Sequence, residues 1–246
     1  MKNEIEKGVS NALEIDDKLE RFRYLRELKE KTPVEAFSAL ISLMESPDEK
    51  TRRRAAHALN WFRELIPQRA DVLANHLERD SNSEVRLTCA ILLMDVRNPA
   101  VDVAYAHAMA DSEEKVAALA CKEIGFRGGD TGIAALFNVL KDARPKVRLL
   151  ACMALIHQEA ADEKVVSTLE ELRSVPVVVE FFKRDPEIIK IFKELCSLPA
   201  MVEFFKTNPK PDNFFEEMGD CTKRESFEAL VTKASLMAKA KSRKGI

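Results

Sequence analysis

Residues 80–93 read DSNSEVRLTCAILL, and this stretch decides the fold because it is repeated. The same pattern recurs at steps of 34, 31 and 31 residues in three other stretches: SPDEKTRRRAAHAL at 46–59, DSEEKVAALACKEI at 111–124 and DARPKVRLLACMAL at 142–155. A fixed period of this length is typical of proteins built from stacked structural repeats.

Each stretch has the spacing of an amphipathic helix. Counted from Val85, the apolar or small residues fall at offsets 0, 4, 5 and 8, which is one stripe of a helix with about 3.6 residues per turn. The adjacent small pair in each stripe allows a neighbouring helix to come close. Cys89, Cys121 and Cys152 belong to these pairs, so we expect small buried side chains rather than ligands or nucleophiles.

A second amphipathic stretch precedes each of these helices, at 34–45, 69–78, 100–110 and 131–141. A polar turn with Asp or Ser separates the two, and such side chains accept orphaned backbone N–H groups at a helix start. Each unit is therefore a helical hairpin, which cannot hide its apolar stripe alone. The predicted fold class is all-α, a right-handed α-solenoid of stacked hairpins with a helical C-terminal region.

The pattern Asp-x-x-x-x-Val-Arg-x-x-Ala-small-x-x-Leu resembles the HEAT-repeat family, and the 31-residue spacing resembles its short-period, phycobilisome-lyase-type branch. The resemblance covers about residues 34–160. It implies contacts between the Asp and Arg of different repeats. Because Ser46 replaces the Asp of the first repeat and Ala117 the Arg of the third, we expect complete contacts only in the second and fourth repeats.

Three regions are predicted: an N-terminal helical cap at 1–33, four HEAT-like hairpins at 34–160 and a C-terminal helical region at 161–246. Residues 1–31 combine both charge signs with apolar residues near helical spacing. We interpret them as an amphipathic helix that caps the first hairpin, and a free arm that folds on a partner is the alternative.

The C-terminal region contains a different repeat. SVPVVVEFFK at 174–183 matches SLPAMVEFFK at 197–206, and a last helix is predicted over 222–241. We expect the phenylalanine pairs of this region to be mostly buried in a compact bundle, whereas exposed rings would form a secondary docking surface. The six residues are Phe181, Phe182, Phe204, Phe205, Phe214 and Phe215.

Composition and motifs argue against most enzymes. The formal charge of −2 lacks the basic excess that a nucleic-acid partner normally requires. The five cysteines and four histidines are widely spaced, and no phosphate-binding, dinucleotide, zinc-protease or serine-hydrolase motif occurs. We therefore expect no catalytic residue, metal or cofactor. Without a signal peptide or a long apolar run, a cytoplasmic location is predicted.

The predicted function is a non-enzymatic scaffold that binds a protein or peptide on a concave face lined by the second helices. Trp61 and the neighbouring arginines are residue types that often dominate interfaces, although core packing of Trp61 is an open alternative. The residues expected to bind the partner are Arg53, Arg54, His57, Trp61, Ile91, Asp95, Lys122, Phe126, Met153 and His157.

Two other functions stay open because related groups share the solenoid. DNA-alkylation-repeat glycosylases hold DNA on a basic face with aromatic and acidic residues, and Trp61 and Asp95 occupy corresponding positions here, near an arginine cluster. A continuous positive track is not visible in the later repeats. Bilin lyases resemble the repeat itself, but nothing in the sequence marks a chromophore cavity. The arginines of the cluster are Arg52, Arg53, Arg54, Arg63 and Arg69.

Overall fold

The computed structural model describes residues 2–172, 175–178, 231, 234, 235 and 237. Eleven α-helices and one 3₁₀ segment follow one another in this part of the chain, without a strand. The predicted all-α class is therefore confirmed. The chain divides into two compact units, Met1–Ala120 and Cys121–Ile246. The region boundaries at 33/34 and 160/161 stay predictions.

The helices alternate with short turns along the whole described run. Pro33, Pro99 and Pro145 each stand at the first position of a helix, where the missing N–H of proline costs nothing. The bounds are α1 Lys2–Glu14, α2 Lys18–Lys31, α3 Pro33–Met44, α4 Glu49–Leu59, a 3₁₀ segment Asn60–Arg69, α5 Ala70–Arg79, α6 Ser83–Leu93, α7 Pro99–Ala108, α8 Glu114–Arg127, α9 Asp130–Val139, α10 Pro145–His157 and α11 Glu163–Leu172.

The N-terminal residues form two helices, so the prediction of a single capping helix is wrong. The Asp17 carboxylate accepts the backbone N–H of Glu20 at 2.7 Å and starts α2 after a three-residue turn. Both α1 and α2 pack against α3, and Val9, Leu13 and Leu25 are buried. These helices therefore form a hairpin that belongs to the packed unit, and they are not a free arm.

Small residues allow the repeats to stack, as predicted. The adjacent small pair is fully buried in all four stretches. In the first unit α4 packs against α6, and α5 packs against both α6 and α7, so equivalent helices of successive hairpins are neighbours. The buried hydroxyl of Tyr105 in α7 donates to the backbone carbonyl of Ala90 in α6 at 2.5 Å. A polar tip on this large buried side chain is thus satisfied inside the stack.

Arginines at the start of the second helices clamp successive repeats together in the first unit. Arg52 donates to both carboxylate oxygens of Asp80 at 2.9 and 3.1 Å, and Arg86 binds Asp111 in the same way at 2.7 and 2.8 Å. Each arginine also donates to a carbonyl of its own turn, that of Ser46 for Arg52 and that of Asp80 for Arg86. Each clamp therefore ties one turn to the next.

The expectation of complete contacts only in the second and fourth repeats is wrong, because the arginine of one repeat binds the aspartate of the following repeat. Arg52 therefore forms a complete pair although Ser46 replaces the aspartate of its own repeat. The third repeat has Ala117 in place of the arginine, and Asp142 is bound instead by Arg144 of its own turn at 2.9 and 2.7 Å.

Asp80 is the centre of a buried polar network. Its carboxylate accepts hydrogen bonds from Arg52 and from the backbone N–H of Asn82 and lies 3.0 Å from Nδ1 of His76, and its side chain is 1% exposed. Burial alone would raise the pKa of Asp80, but the hydrogen bonds from Arg52, Asn82 and His76 outweigh it and lower the pKa below its ordinary value. The charged form is thus favoured by folding.

We expect Asp80→Asn to destabilise the first unit by about 3 kcal/mol, because it leaves the largely buried Arg52 without its counter-charge. The stabilisation by Asp80 is present above its unfolded-state pKa of about 3.9. It is lost as the pH falls through the lower folded-state pKa, so the substitution should flatten the loss of stability below about pH 4. Urea unfolding followed by the fluorescence of Trp61, the only tryptophan, measures both effects.

The matched control is Arg26→Gln, which breaks an exposed pair with Glu30 one turn along α2. It should cost less than about 0.5 kcal/mol. An Asp80→Asn protein with the wild-type unfolding midpoint and acid profile would contradict the role assigned to the clamp.

In the second unit, the part of α8 that follows Ala120 comes close to α10 at Gly125. A Cβ at this position would lie 2.8 Å from the Cβ of Ala154 and 3.1 Å from its Cα. The side chain of Gln158 also donates to the Gly125 carbonyl. Gly125 is therefore needed for close approach inside a helix, and Gly128 and Gly129 end α8 with positive φ.

We expect Gly125→Ala to loosen the second unit, because overpacking typically costs about 1–3 kcal/mol. Hydrogen–deuterium exchange of peptides from α8 and α10 should become faster. Gly125→Ala combined with Ala154→Gly should recover part of the protection, with Ala154→Gly alone as the reference. Slower exchange in Gly125→Ala, as expected if only helix propensity mattered, would contradict this packing.

Candidate functional site

An open groove of about 860 Å³ lies in the first unit, and its lining is basic and aromatic. Helix α2, helix α4, the start of the 3₁₀ segment and one residue of α6 contribute to it. We call it the arginine groove, and its lining residues are Arg21, Phe22, Arg53, Arg54, His57, Asn60, Trp61, Arg63 and Glu84.

The sequence of α4 and of the following segment places these side chains at the groove. Ala55, Ala56 and Leu59 occupy the buried face of α4, so Arg53 and His57 lie on another face. The backbone kinks at Phe62 (φ −116°, ψ 31°), and the side chain of Phe62 is buried. The centroid of its ring lies 6.4 Å from that of Phe37. With Phe62 held in the core, its neighbour Trp61 is turned outward.

Trp61 forms the aromatic part of the groove and is 42% exposed. Its ring centroid lies 5.8 Å from that of Phe22, with the two planes tilted by 53°. The Lys29 ammonium donates to the Trp61 carbonyl and pairs with Glu64 at 2.9 Å, which holds the segment against α2. Trp61 is therefore anchored on one side and open on the other, and it is not fully packed in the core.

Glu84 is the carboxylate of the groove lining, and Arg53 and His57 both contact it. Arg53 lies 3.2 Å from one of its oxygens and Nε2 of His57 lies 2.8 Å from the other. The hydrogen bond from His57 and, more weakly, the charge of Arg53 lower the pKa of Glu84 although burial opposes them. Glu84 stays ionised at neutral pH and holds the Arg53 and His57 side chains in place.

Arg54 and Arg63 also face carboxylates of the chain. The Arg54 side chain is 15% exposed, donates to the Leu13 carbonyl and pairs with Asp16 at 2.8 Å. Arg63 lies 4.0 Å from Asp95 in the turn after α6. Arg54 thus holds the α1–α2 turn as well as lining the groove.

Arg21 is held differently, since its guanidinium donates to the backbone carbonyl of Ile15 at 2.5 Å. Burial and the nearby positive charge of Arg54 lower the pKa of Arg21, with Asp16 and Asp17 acting in the opposite direction. Two guanidinium groups therefore repel each other at this end of the groove.

The structure brings together the first four predicted site residues, Arg53, Arg54, His57 and Trp61, with Asp95 beside Arg63. Ile91 is half-buried on α6. Sequence reasoning missed Arg21 and Phe22 because it placed residues 1–31 on one capping helix. The signal that could have found them is Phe22 itself, an aromatic residue between Arg21 and Arg23 in the charged α2 segment.

The remaining predicted site residues belong to the second unit. Phe126 is 44% exposed and meets the ring of His157 edge-on at 5.5 Å, and Lys122 is half-buried. Met153 is 4% exposed, so the structure places it in the packing of α10 rather than at the surface. The six paired phenylalanines, Phe181, Phe182, Phe204, Phe205, Phe214 and Phe215, and nearly all of the predicted last helix lie outside the described residues.

The structure offers no alternative site with metal or thiol chemistry in the part of the chain that it describes. No group of three or more His, Cys, Asp or Glu residues there could hold a metal ion. Cys89, Cys121 and Cys152 are buried, as predicted. Burial raises the pKa of Cys121 to about 12 and raises those of Cys89 and Cys152 as well. These thiols are therefore protonated and packed.

We expect Cys89, Cys121 and Cys152 to resist alkylation by iodoacetamide in the native protein at pH 8 and to react fully in urea. Mass spectrometry of the three separate peptides gives the extent of labelling at each site. Rapid native labelling of any of the three would contradict its burial in the stack.

Among the described residues, no helix is both long enough and apolar enough to cross a lipid bilayer.

Stacked helical hairpins with an exposed groove in the first unit define a helical-repeat protein. The family model for HEAT repeats matches residues 7–94 and 101–180. The chain therefore belongs to the HEAT-repeat family, and the predicted family and α-solenoid class are confirmed. The match begins inside α1, in agreement with an N-terminal hairpin that is part of the repeat array. No curated protein matches the chain.

Three solved structures are similar to this chain at low identity. An engineered protein of the Northeast Structural Genomics Consortium has 16% identity and a TM-score of 0.44, over 93% of this chain and 98% of its own. YibA of Escherichia coli has 15% identity and a TM-score of 0.42, over 95% of each chain. A second engineered protein has 17% identity and a TM-score of 0.47, over 96% of this chain and 68% of its own.

Proposed function

We propose that this chain is a non-enzymatic interaction scaffold that binds a protein or peptide segment in the arginine groove. HEAT-repeat solenoids commonly act as protein-interaction scaffolds. The observation that carries the proposal is the exposed ring of Trp61, packed on Phe22 and surrounded by arginines. Tryptophan and arginine are the residue types most often found to dominate binding energy.

The groove has the dimensions and rigidity that such binding needs. Its volume of about 860 Å³ lies within the usual range for ligand sites and suits a few side chains of a peptide. Arg53 and Arg54 are held by Glu84 and Asp16 before any partner arrives. Because these long side chains are already ordered, binding costs less conformational entropy.

The electrostatics of the groove support a binding role over catalysis. Glu84 is the carboxylate among the nine lining residues, and its lowered pKa makes it a poor proton donor at neutral pH. Nε2 of His57 lies 2.8 Å from Glu84, so this nitrogen is already engaged in a contact within the chain.

Nucleic acid is the second candidate, because Trp61, Asp95 and four arginines lie at or beside one groove. Three of these arginines, however, face carboxylates: Arg53 faces Glu84, Arg54 faces Asp16 and Arg63 faces Asp95. A phosphate backbone would meet these negative charges as well as the arginines, which makes a peptide the better fit.

The experiment is a random-peptide display selection on the full chain, followed by titration of synthetic selected peptides. Occupancy of the groove should change the fluorescence of Trp61 saturably, since Trp61 is the only tryptophan. Arg53→Ala should weaken binding at least about tenfold, which corresponds to about 1.4 kcal/mol. Arg26→Ala, on the same unit but outside the groove lining, should leave it unchanged.

Peptides that bind wild-type and Arg53→Ala protein equally, without a change in Trp61 fluorescence, would place the binding site elsewhere. Saturable binding of a 20-base-pair duplex, with affinity falling steeply between about 50 and 200 mM salt, would favour the nucleic-acid alternative.

A further inference from the structure

We infer that the arginine groove selects a peptide segment in which a carboxylate side chain stands next to an apolar or aromatic one. This inference rests on the proposed function and adds the chemistry of the partner. The features that support this choice of partner are the positive charge around Arg21 and the aromatic pair beside it.

Among the described residues, Arg21 is the arginine of the groove without a carboxylate at ion-pair distance, although Asp16 and Asp17 attract it from farther away. Arg53, Arg54 and Arg63 each face a carboxylate of the chain, whereas the guanidinium of Arg21 donates to the carbonyl of Ile15. Arg54 lies close enough to Arg21 to repel it. A carboxylate that enters the groove would relieve this repulsion and would add charge-assisted hydrogen bonds to the guanidinium groups.

An apolar contact lies directly beside this charge. Phe22 follows Arg21 in α2, and the Arg21 guanidinium carbon is 5.8 Å from the Phe22 ring centroid. The Phe22 ring in turn packs against the exposed ring of Trp61. A side chain next to the bound carboxylate can therefore bury apolar surface on Trp61, which adds favourable free energy at about 25 cal/mol per Å².

The same arrangement disfavours a polyphosphate. Glu84, Asp16 and Asp95 surround the groove at ion-pair distances from its other arginines. A single carboxylate at Arg21 would still be repelled by Asp16 and Asp17, which act on Arg21, but it brings one negative charge and not several. A chain of regularly spaced phosphates would place successive charges near them and would be repelled.

The first test uses ionic quenchers of Trp61 fluorescence on the full chain. Iodide should quench Trp61 at least about twofold more efficiently than caesium, relative to a free tryptophan derivative, because the local positive potential concentrates anions. The difference should shrink with added salt. Arg21→Gln should reduce the advantage of iodide, and Arg26→Gln, on the same helix but outside the groove, should preserve it.

The second test compares matched peptides. Peptides selected on the full chain are resynthesised with each Asp and Glu replaced by Asn and Gln, and both forms are titrated against Trp61 fluorescence. The acidic form should bind at least about tenfold more tightly, equivalent to about 1.4 kcal/mol. Arg21→Gln should remove most of this difference. Because Arg21 also anchors the turn after α1, Arg53→Gln is measured beside it, and circular dichroism checks that each variant is folded.

The outcomes separate the two proposals. Equal affinity of the acidic and amide forms, with Trp61 fluorescence still responding, would overturn the acidic preference and leave the peptide-binding function standing. Binding that leaves Trp61 unaffected would overturn both. Displacement of bound acidic peptide by a 20-base-pair duplex at low salt, with tighter binding of the duplex, would also overturn both in favour of nucleic acid.

Discussion

The contact on which the structure of the first unit depends is the arginine clamp between successive turns. A helical hairpin has one apolar stripe and cannot bury it alone, so each hairpin needs a neighbour in a defined register. Small pairs such as Cys89-Ala90 let the helices come close but do not fix that register. The register is fixed by two bidentate pairs, Arg52 with Asp80 and Arg86 with Asp111, because each guanidinium bonds to two turns at once.

The clamp also explains why the groove lies where it does. The apolar face of α4 packs in the stack, and Arg52 binds the next turn. The remaining side chains of α4 therefore contact other partners. Phe62 is held in the core at the kink, and Trp61 therefore faces outward beside α2. The groove is a consequence of how the repeats stack and how α4 ends, and it requires no separate loop.

Local signals in the sequence predicted most of the fold, whereas features that depend on contacts between helices could not be predicted from it. The period, the small pairs and the turn caps are local features, so the hairpins, the repeat family and the buried cysteines could be predicted. Arg52 and Asp80 are 28 residues apart in the sequence, so their pairing could be identified only from the positions of the helices in the structure. In the same way, only the structure shows that Phe22 belongs to the site, because its ring packs against Trp61. Met153 does not belong to the site, because it is buried on α10.

The run Arg52-Arg53-Arg54 shows why a basic sequence need not make a basic track. Successive residues of a helix point about 100° apart, so the three side chains leave α4 in different directions. Arg52 reaches Asp80, Arg53 reaches Glu84 in the groove, and Arg54 reaches the turn after α1. Arg52 stabilises the stacking, Arg53 lines the groove, and Arg54 lines the groove and also holds the N-terminal hairpin. The cationic surface that remains is therefore local, and this is why we propose a single anionic side chain and not a polyanion as its partner.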